Sequence, residues 1–188
     1  MESMYVRDAR KNEEEWLLQT LEENSLDWSS FRSREFTFVC SEDSDNVLAF
    51  GRLRKNTLDS GSVWFEITSV HVTDAGKQVR AESNLIDSFI DDLSTMGVSN
   101  VYTITTNTQQ FQNMGFEEVD RTRLSDVLLE RVTEKEQFLN IPEGNATVMK
   151  IEVDSFTSDS SVSEDEVNNE KEAQGFGDSG ESTHKYSV

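Results

Sequence analysis

The most constraining feature of this chain is a strand, a helix and a second strand in immediate succession. SVWFEITSVHV (62–72) is dense in β-branched and aromatic residues and reads as a central strand. Directly behind it, VTDAGKQVRAESNLIDSFIDDLSTMG (72–97) reads as one long amphipathic helix. It carries Val79, Leu85, Ile86, Phe89, Ile90, Leu93 and Met96 on one face, with Gly97 placed as a C-terminal cap. NVYTITT (100–106) is again a strand. Two strands of one sheet joined through a helix run parallel and are linked by a right-handed crossover. The fold class is therefore α/β.

The remaining elements fit around that unit. MYVRDA (4–9) is a short strand leading into the helix NEEEWLLQTLEEN (12–24), whose three glutamates sit at the positive N-terminal end. REFTFVCSE (34–42) and NVLAFGRLR (46–54) flank the turn-rich EDSDN and predict an antiparallel hairpin. QQFQNM (109–114) reads as a short helix, GFEEV (115–119) as a strand start, RLSDVLLERVTEKEQF (123–138) as a further helix and NATVMKIEV (145–153) as a closing strand. At 188 residues the chain has room for one core plus an appendage. One folded domain is expected over 1–154. Residues 155–188, rich in Ser, Asp, Glu and Gly, cannot bury enough apolar surface to order themselves and are expected to form a disordered acidic tail.

Charge narrows the partners. The formal charge of −20 repels phosphate backbones and anionic lipid, so neither nucleic acid nor a membrane surface is an expected partner. The tail holds eight acids against two lysines, so −6 of the total belongs to it and −14 to the body. That excess self-repels in dilute salt and is tolerated when counterions screen it, which points to a halophilic, salt-rich cytoplasm. No apolar run reaches the roughly 18 residues of a spanning helix, and the N-terminus lacks the apolar stretch of a secretion signal. A cytoplasmic monomer or homodimer is expected. Cys40 stands alone in a strand and reads as a small core hydrophobe, and His71 and His184 have no metal-like spacing.

The order of elements and three local stretches resemble the GNAT superfamily of acetyl-CoA-dependent N-acetyltransferases. FEITSVHV (65–72) is similar to the family's central strand, where a glutamate precedes a V-x-V end that bonds the pantetheine arm through its backbone. GKQVRAESNLIDSFI (76–90) occupies the place of the pyrophosphate loop and helix, and NMGFEEV (113–119) matches the Gly-Phe turn. The order and spacing of elements extend the resemblance over about Met4 to Val119. The continuation VDRTRLSDVLLERV (119–132) is also similar to the subgroup related to N-acetylglutamate synthase. The resemblance implies a mostly antiparallel mixed sheet flanked by helices, acetyl-CoA as co-substrate, and a small-molecule amine, such as an amino acid, as acceptor.

The same resemblance implies cofactor contacts at Val70, His71 and Val72, at Lys77, Gln78, Val79, Arg80, Ala81, Glu82 and Ser83, and at Asn107. It implies a general base at Glu66; the plainer reading of Glu66 is an outward-facing strand residue. Three departures stand beside these matches. Aligned on Leu85 and Ile86, the loop puts Lys77 at the leading basic position and Gln78, Arg80 and Glu82 where glycines let successive N–H groups reach a diphosphate. A register moved by one offers Gln78, Ala81 and Ser83 instead. Glu82 opposes the phosphates in either case. Phe111 stands where many members carry a tyrosine to reprotonate the thiolate.

FRSRE (31–35) and FGRLRK (50–55) bring Arg32, Arg34, Arg52 and Arg54 close in sequence. Read as one patch, they would bind a substrate carboxylate, since arginine pairs with that group bidentately. Read as structural pairs, they neutralise neighbouring acids. Two functions therefore stand open: acetyl transfer to a small amine, and a catalytically silent GNAT-like binding domain with a degenerate loop.

Overall fold

The computed structural model describes residues 3–155; the acidic segment expected to be disordered lies, from residue 156 on, outside them. Seven strands form one sheet in the order β1-β2-β3-β4-β5-β7-β6, with ranges β1 Met4–Asp8, β2 Phe36–Ser41, β3 Val47–Thr57, β4 Val63–Val72, β5 Asn100–Thr105, β6 Glu117–Glu118 and β7 Thr147–Glu152. β4 and β5 are parallel, and every other neighbouring pair is antiparallel. The helices are α1 Glu14–Glu23, α2 Asp74–Gln78, α3 Ala81–Thr95, α4 Thr108–Gln112 and α5 Asp126–Phe138. This is the parallel crossover read from the sequence, set in the mixed, mostly antiparallel sheet that the resemblance implies.

Strand alternation decides what each face carries. Phe65 and Ile67 of β4, with Val101, Met149 and Ile151, pack under Leu85, Ile86, Phe89, Ile90 and Leu93 of α3. Glu66 and its neighbours on the opposite face lie under α5, whose Leu128 and Val132 pack on Ile104 and Val148. α1 covers the same face farther along, where Leu17 and Leu21 meet Phe36, Phe38 and Phe50. Cys40 is fully buried there, as its strand setting predicts. No helix among the described residues is long and apolar enough to cross a membrane.

The expected long helix after β4 is two helices. α2 ends at Gln78, and Arg80 adopts a left-handed conformation (φ 56°, ψ 41°) before α3 begins. Periodicity ran through this break because Val79 and Leu85 both pack on the same core. The far end of α3 follows the sequence reading. Gly97 (φ 74°) donates to the Ser94 carbonyl and Val98 to the Leu93 carbonyl, closing the helix as a left-handed glycine cap does.

Candidate active site

The centre of the molecule is where β4 and β5 cease to pair. Against β3, β4 carries one residue too many: Phe50 pairs with His71, but Arg52 pairs with Thr68. The surplus is absorbed at Ser69, which takes a left-handed φ of 56° and donates its hydroxyl to the Asp27 carbonyl. A bulge of this kind bends a strand and turns backbone groups away from the ladder. On the other edge, β4 and β5 share the single register pair Glu66–Tyr102, and the next β4 carbonyl, Ile67 O, accepts from the Thr103 hydroxyl at 2.8 Å. The half-buried Val70, His71 and Val72 follow the bulge. His71 lies against the Phe50 ring, with centroids 5.2 Å apart, and burial pushes its imidazole pKa down.

Beyond Val72 the chain is tied down before it turns. The Thr73 hydroxyl donates to the Leu48 carbonyl at 3.1 Å and accepts from the Gly76 N–H at 3.0 Å. Gly76 is the glycine this turn does retain. A Cβ there would sit 2.0 Å from the Leu48 carbonyl oxygen, so only glycine allows α2 to approach β3 this closely. Lys77 is exposed beside Asp74 at 3.9 Å, Gln78 and Ser83 are exposed, Val79 is half-buried and Ala81 is buried. Of the two loop alignments, the first puts the left-handed Arg80 at a glycine position, so the backbone keeps the bend without the residue that makes it easy. Glu82, in the first turn of α3, accepts a hydrogen bond from the Gln110 amide of α4 and so bridges the helices that follow the two parting strands.

On the α5 face lies a buried ionic cluster. Glu66 is fully buried; its Oε1 accepts from Arg131 Nε at 2.8 Å, and its Oε2 from Arg131 Nη2 at 3.3 Å and Lys135 Nζ at 3.2 Å. Lys135 also donates to Thr68 Oγ1 and to the Ile104 carbonyl, both at 2.8 Å, so one ammonium spans the gap between β4 and β5. Asp27, on the loop after α1, accepts from Arg131 Nη2 and from the Ser29 backbone and hydroxyl. Burial would raise both carboxyls, but the surrounding cations outweigh it: Glu66 is held below the usual range, and Asp27 at about 2. Burial pushes the Lys135 ammonium and the Arg54 guanidinium down.

The implied base is thus a counter-ion, with both oxygens committed to cations. Asp27, Arg131 and Lys135, none of them singled out from sequence, complete its surroundings. The signal was present: Arg131 and Lys135 fall on the stripe that Leu128 and Val132 lay against the sheet, where an unpaired cation would not be buried.

The four arginines do not form one patch. Arg52 and Arg54 alternate onto the α5 face: Arg52 is 1% exposed, bonded to Glu35 and to the Ser29 and Ser30 carbonyls, and Arg54 holds Ser29 and Asn56, with Asp27 at 3.8 Å. Arg32 and Arg34 are exposed and, with Lys55 and Phe65, line a cleft on the other face. Strand alternation and the turn at Ser33–Glu35 separate the two pairs. Phe111 is buried in α4 against Phe116, with ring centroids 5.3 Å apart, and serves as core. Asn107 caps α4, its Oδ1 accepting from the Gln110 N–H.

No family model matches the sequence, and no curated protein matches it significantly. Solved structures do. N-acetylglutamate synthase from Neisseria gonorrhoeae, complexed with coenzyme A and N-acetyl-glutamate, superposes with a TM-score of 0.60 at 16% identity over 81% of this chain. The chain spans only 36% of that enzyme's length. A Mycobacterium tuberculosis protein in complex with CoA matches with a TM-score of 0.58 at 16% identity, over 79% of this chain and 98% of its own. A GNAT-family acetyltransferase from Staphylococcus aureus gives 0.55 at 13% identity, over 80% and 99% of the two chains. With its bulged β4, its single parallel junction and its β5-β7-β6 edge, this chain has the fold of the GNAT acetyltransferases.

Proposed function

We propose that the chain is an acyltransferase that moves acetyl from acetyl-CoA to the amine of a small, carboxylate-bearing molecule. The observation that carries this is the Ser69 bulge beside the one-pair β4–β5 junction, which leaves the backbone of Val70 to Val72 free of a β5 ladder. Backbone N–H groups fixed in that way can hold a pantetheine arm and polarise a thioester carbonyl. The start of α3, at Ala81 and Glu82, supplies the diphosphate end through its backbone N–H groups, while the Ser83 N–H is already bonded to the Arg80 carbonyl. The amine nitrogen forms its bond to the acetyl carbon as the carbon–sulfur bond breaks. The thiolate leaves to solvent, since Phe111 has no proton to give.

Glu66 takes the amine proton only once it is released. A carboxylate on the acceptor shares Arg131 with it, and as that one cation is divided between two acids, burial drives the Glu66 carboxyl up toward a useful basicity. The cytoplasmic, salt-rich setting read from the charge of −20 belongs to this proposal as well.

A second reading is favoured by Glu82 and Gln110, whose bond lies where a diphosphate would enter. In it the domain is silent and the crevice stays closed. Calorimetric titration of acetyl-CoA in several-molar potassium chloride separates the two, using the native chain and a variant carrying Gln78→Gly, Arg80→Gly and Glu82→Gly. Binding by the native chain supports the transferase. Binding by the variant alone establishes the silent domain, and binding by neither removes the cofactor from both.

A further inference from the structure

We propose that the buried cluster under α5 is a binding site for one carboxylate, held by Arg131, Asn56 and Trp64. This deepens the acyltransferase reading by naming where the acceptor's acid group sits; of the four arginines singled out by sequence, Arg54 alone belongs to this cluster.

Charge and hydrogen bonding argue for it separately. Asp27 and Glu66 bring two negative charges into the cluster and Arg54, Arg131 and Lys135 bring three positive ones, all five residues being under 9% exposed. Three minus two leaves one positive charge buried without compensation. Glu134, 4.0 Å from Arg131, is 64% exposed and answers it only weakly. A buried charge left in that condition is expensive, and an anion in contact removes the cost.

Arg131 Nη1, Asn56 Nδ2 and Trp64 Nε1 are buried and have no hydrogen-bond partner. All belong to one region of the sheet. Asn56 faces Trp64 in the β3–β4 register, and Trp64 lies two residues before Glu66, about 7 Å along the strand. Glu66 in turn holds Arg131. Each unsatisfied atom is a donor, which selects a ligand made of acceptors. One negative charge with two acceptor oxygens is a carboxylate. Asn56 and Trp64 are half-buried, at the rim of the cluster.

Trp64 reports on its own indole N–H. The experiment is a ¹H–¹⁵N spectrum of the full chain in concentrated potassium chloride, with the Trp64 resonance assigned from Trp64→Phe. Acetate is then exchanged for chloride at constant potassium. The expected result is a saturable downfield shift that acetamide does not produce. Asn56→Asp, which keeps the bond from Arg54 and supplies the missing charge internally, is expected to weaken the acetate response roughly tenfold or more. No shift on exchanging chloride for acetate overturns the proposal, as does an equal shift with acetamide or an undiminished response in Asn56→Asp. None of these readouts involves acetyl-CoA, so failure of acyl transfer and failure of this site are distinguished.

Discussion

Replacing Asp27 by Asn tests the ionic cluster directly. The side chain is 0% exposed, its Oδ2 meets Arg131 Nη2, and its Oδ1 accepts from the Ser29 backbone and hydroxyl. Its pKa is lowered from 3.8 to about 2: burial alone would raise it, but Arg131, Ser29 and Lys135 together prevail. A group whose folded pKa lies below its unfolded value contributes stability that is present above the unfolded pKa and is lost as pH falls through the folded one. Here the contribution is complete above about pH 4 and gone near pH 2. A shift of ~1.8 pH units corresponds to about 2.4 kcal/mol at neutral pH. At pH 3 the same linkage leaves ~1.3 kcal/mol. Urea unfolding of the native chain and Asp27→Asn at fixed potassium chloride, at pH 7 and pH 3, measures both values. A neutral-pH penalty under ~1 kcal/mol, or one that does not shrink at pH 3, refutes the cluster as described.

Two further predictions use the same unfolding assay. Lys135→Met leaves the buried Thr68 hydroxyl and Ile104 carbonyl without their donor and is expected to cost about 1–3 kcal/mol, while Glu66 keeps both of its bonds from Arg131, so that adding Glu66→Gln recovers nothing and costs more. Gly76→Ala drives a Cβ to 2.0 Å from the Leu48 carbonyl oxygen and is expected to cost at least ~2 kcal/mol, with the loss of the Thr73 cap visible as faster amide exchange at Gly76.

The strands themselves, the crossover and the cap at Gly97 were legible because each rests on local pattern: alternation, a helical stripe, a glycine after it. The break at Arg80 was not, since periodicity reports which face is buried and not the backbone conformation of one residue. Glu66 was singled out through the resemblance of its strand, and the structure places it, buried, on the central β4. Its condition was not legible, because Asp27 lies 39 residues before it and Arg131 lies 65 after it.

The sequence by itself determined the layers of this protein: which segments become strands, which helix crosses between parallel ones, and which residues face the α3 core. Those follow from interactions between near neighbours. Only the tertiary structure decided the state of the centre. It divided the four arginines between two faces, tied Glu82 to Gln110 and set Arg131 and Lys135 over Glu66. Charges on separate elements acquire a common environment only when the sheet and α5 close over them, and burial then turns an ordinary acid and two ordinary bases into a mutually dependent set.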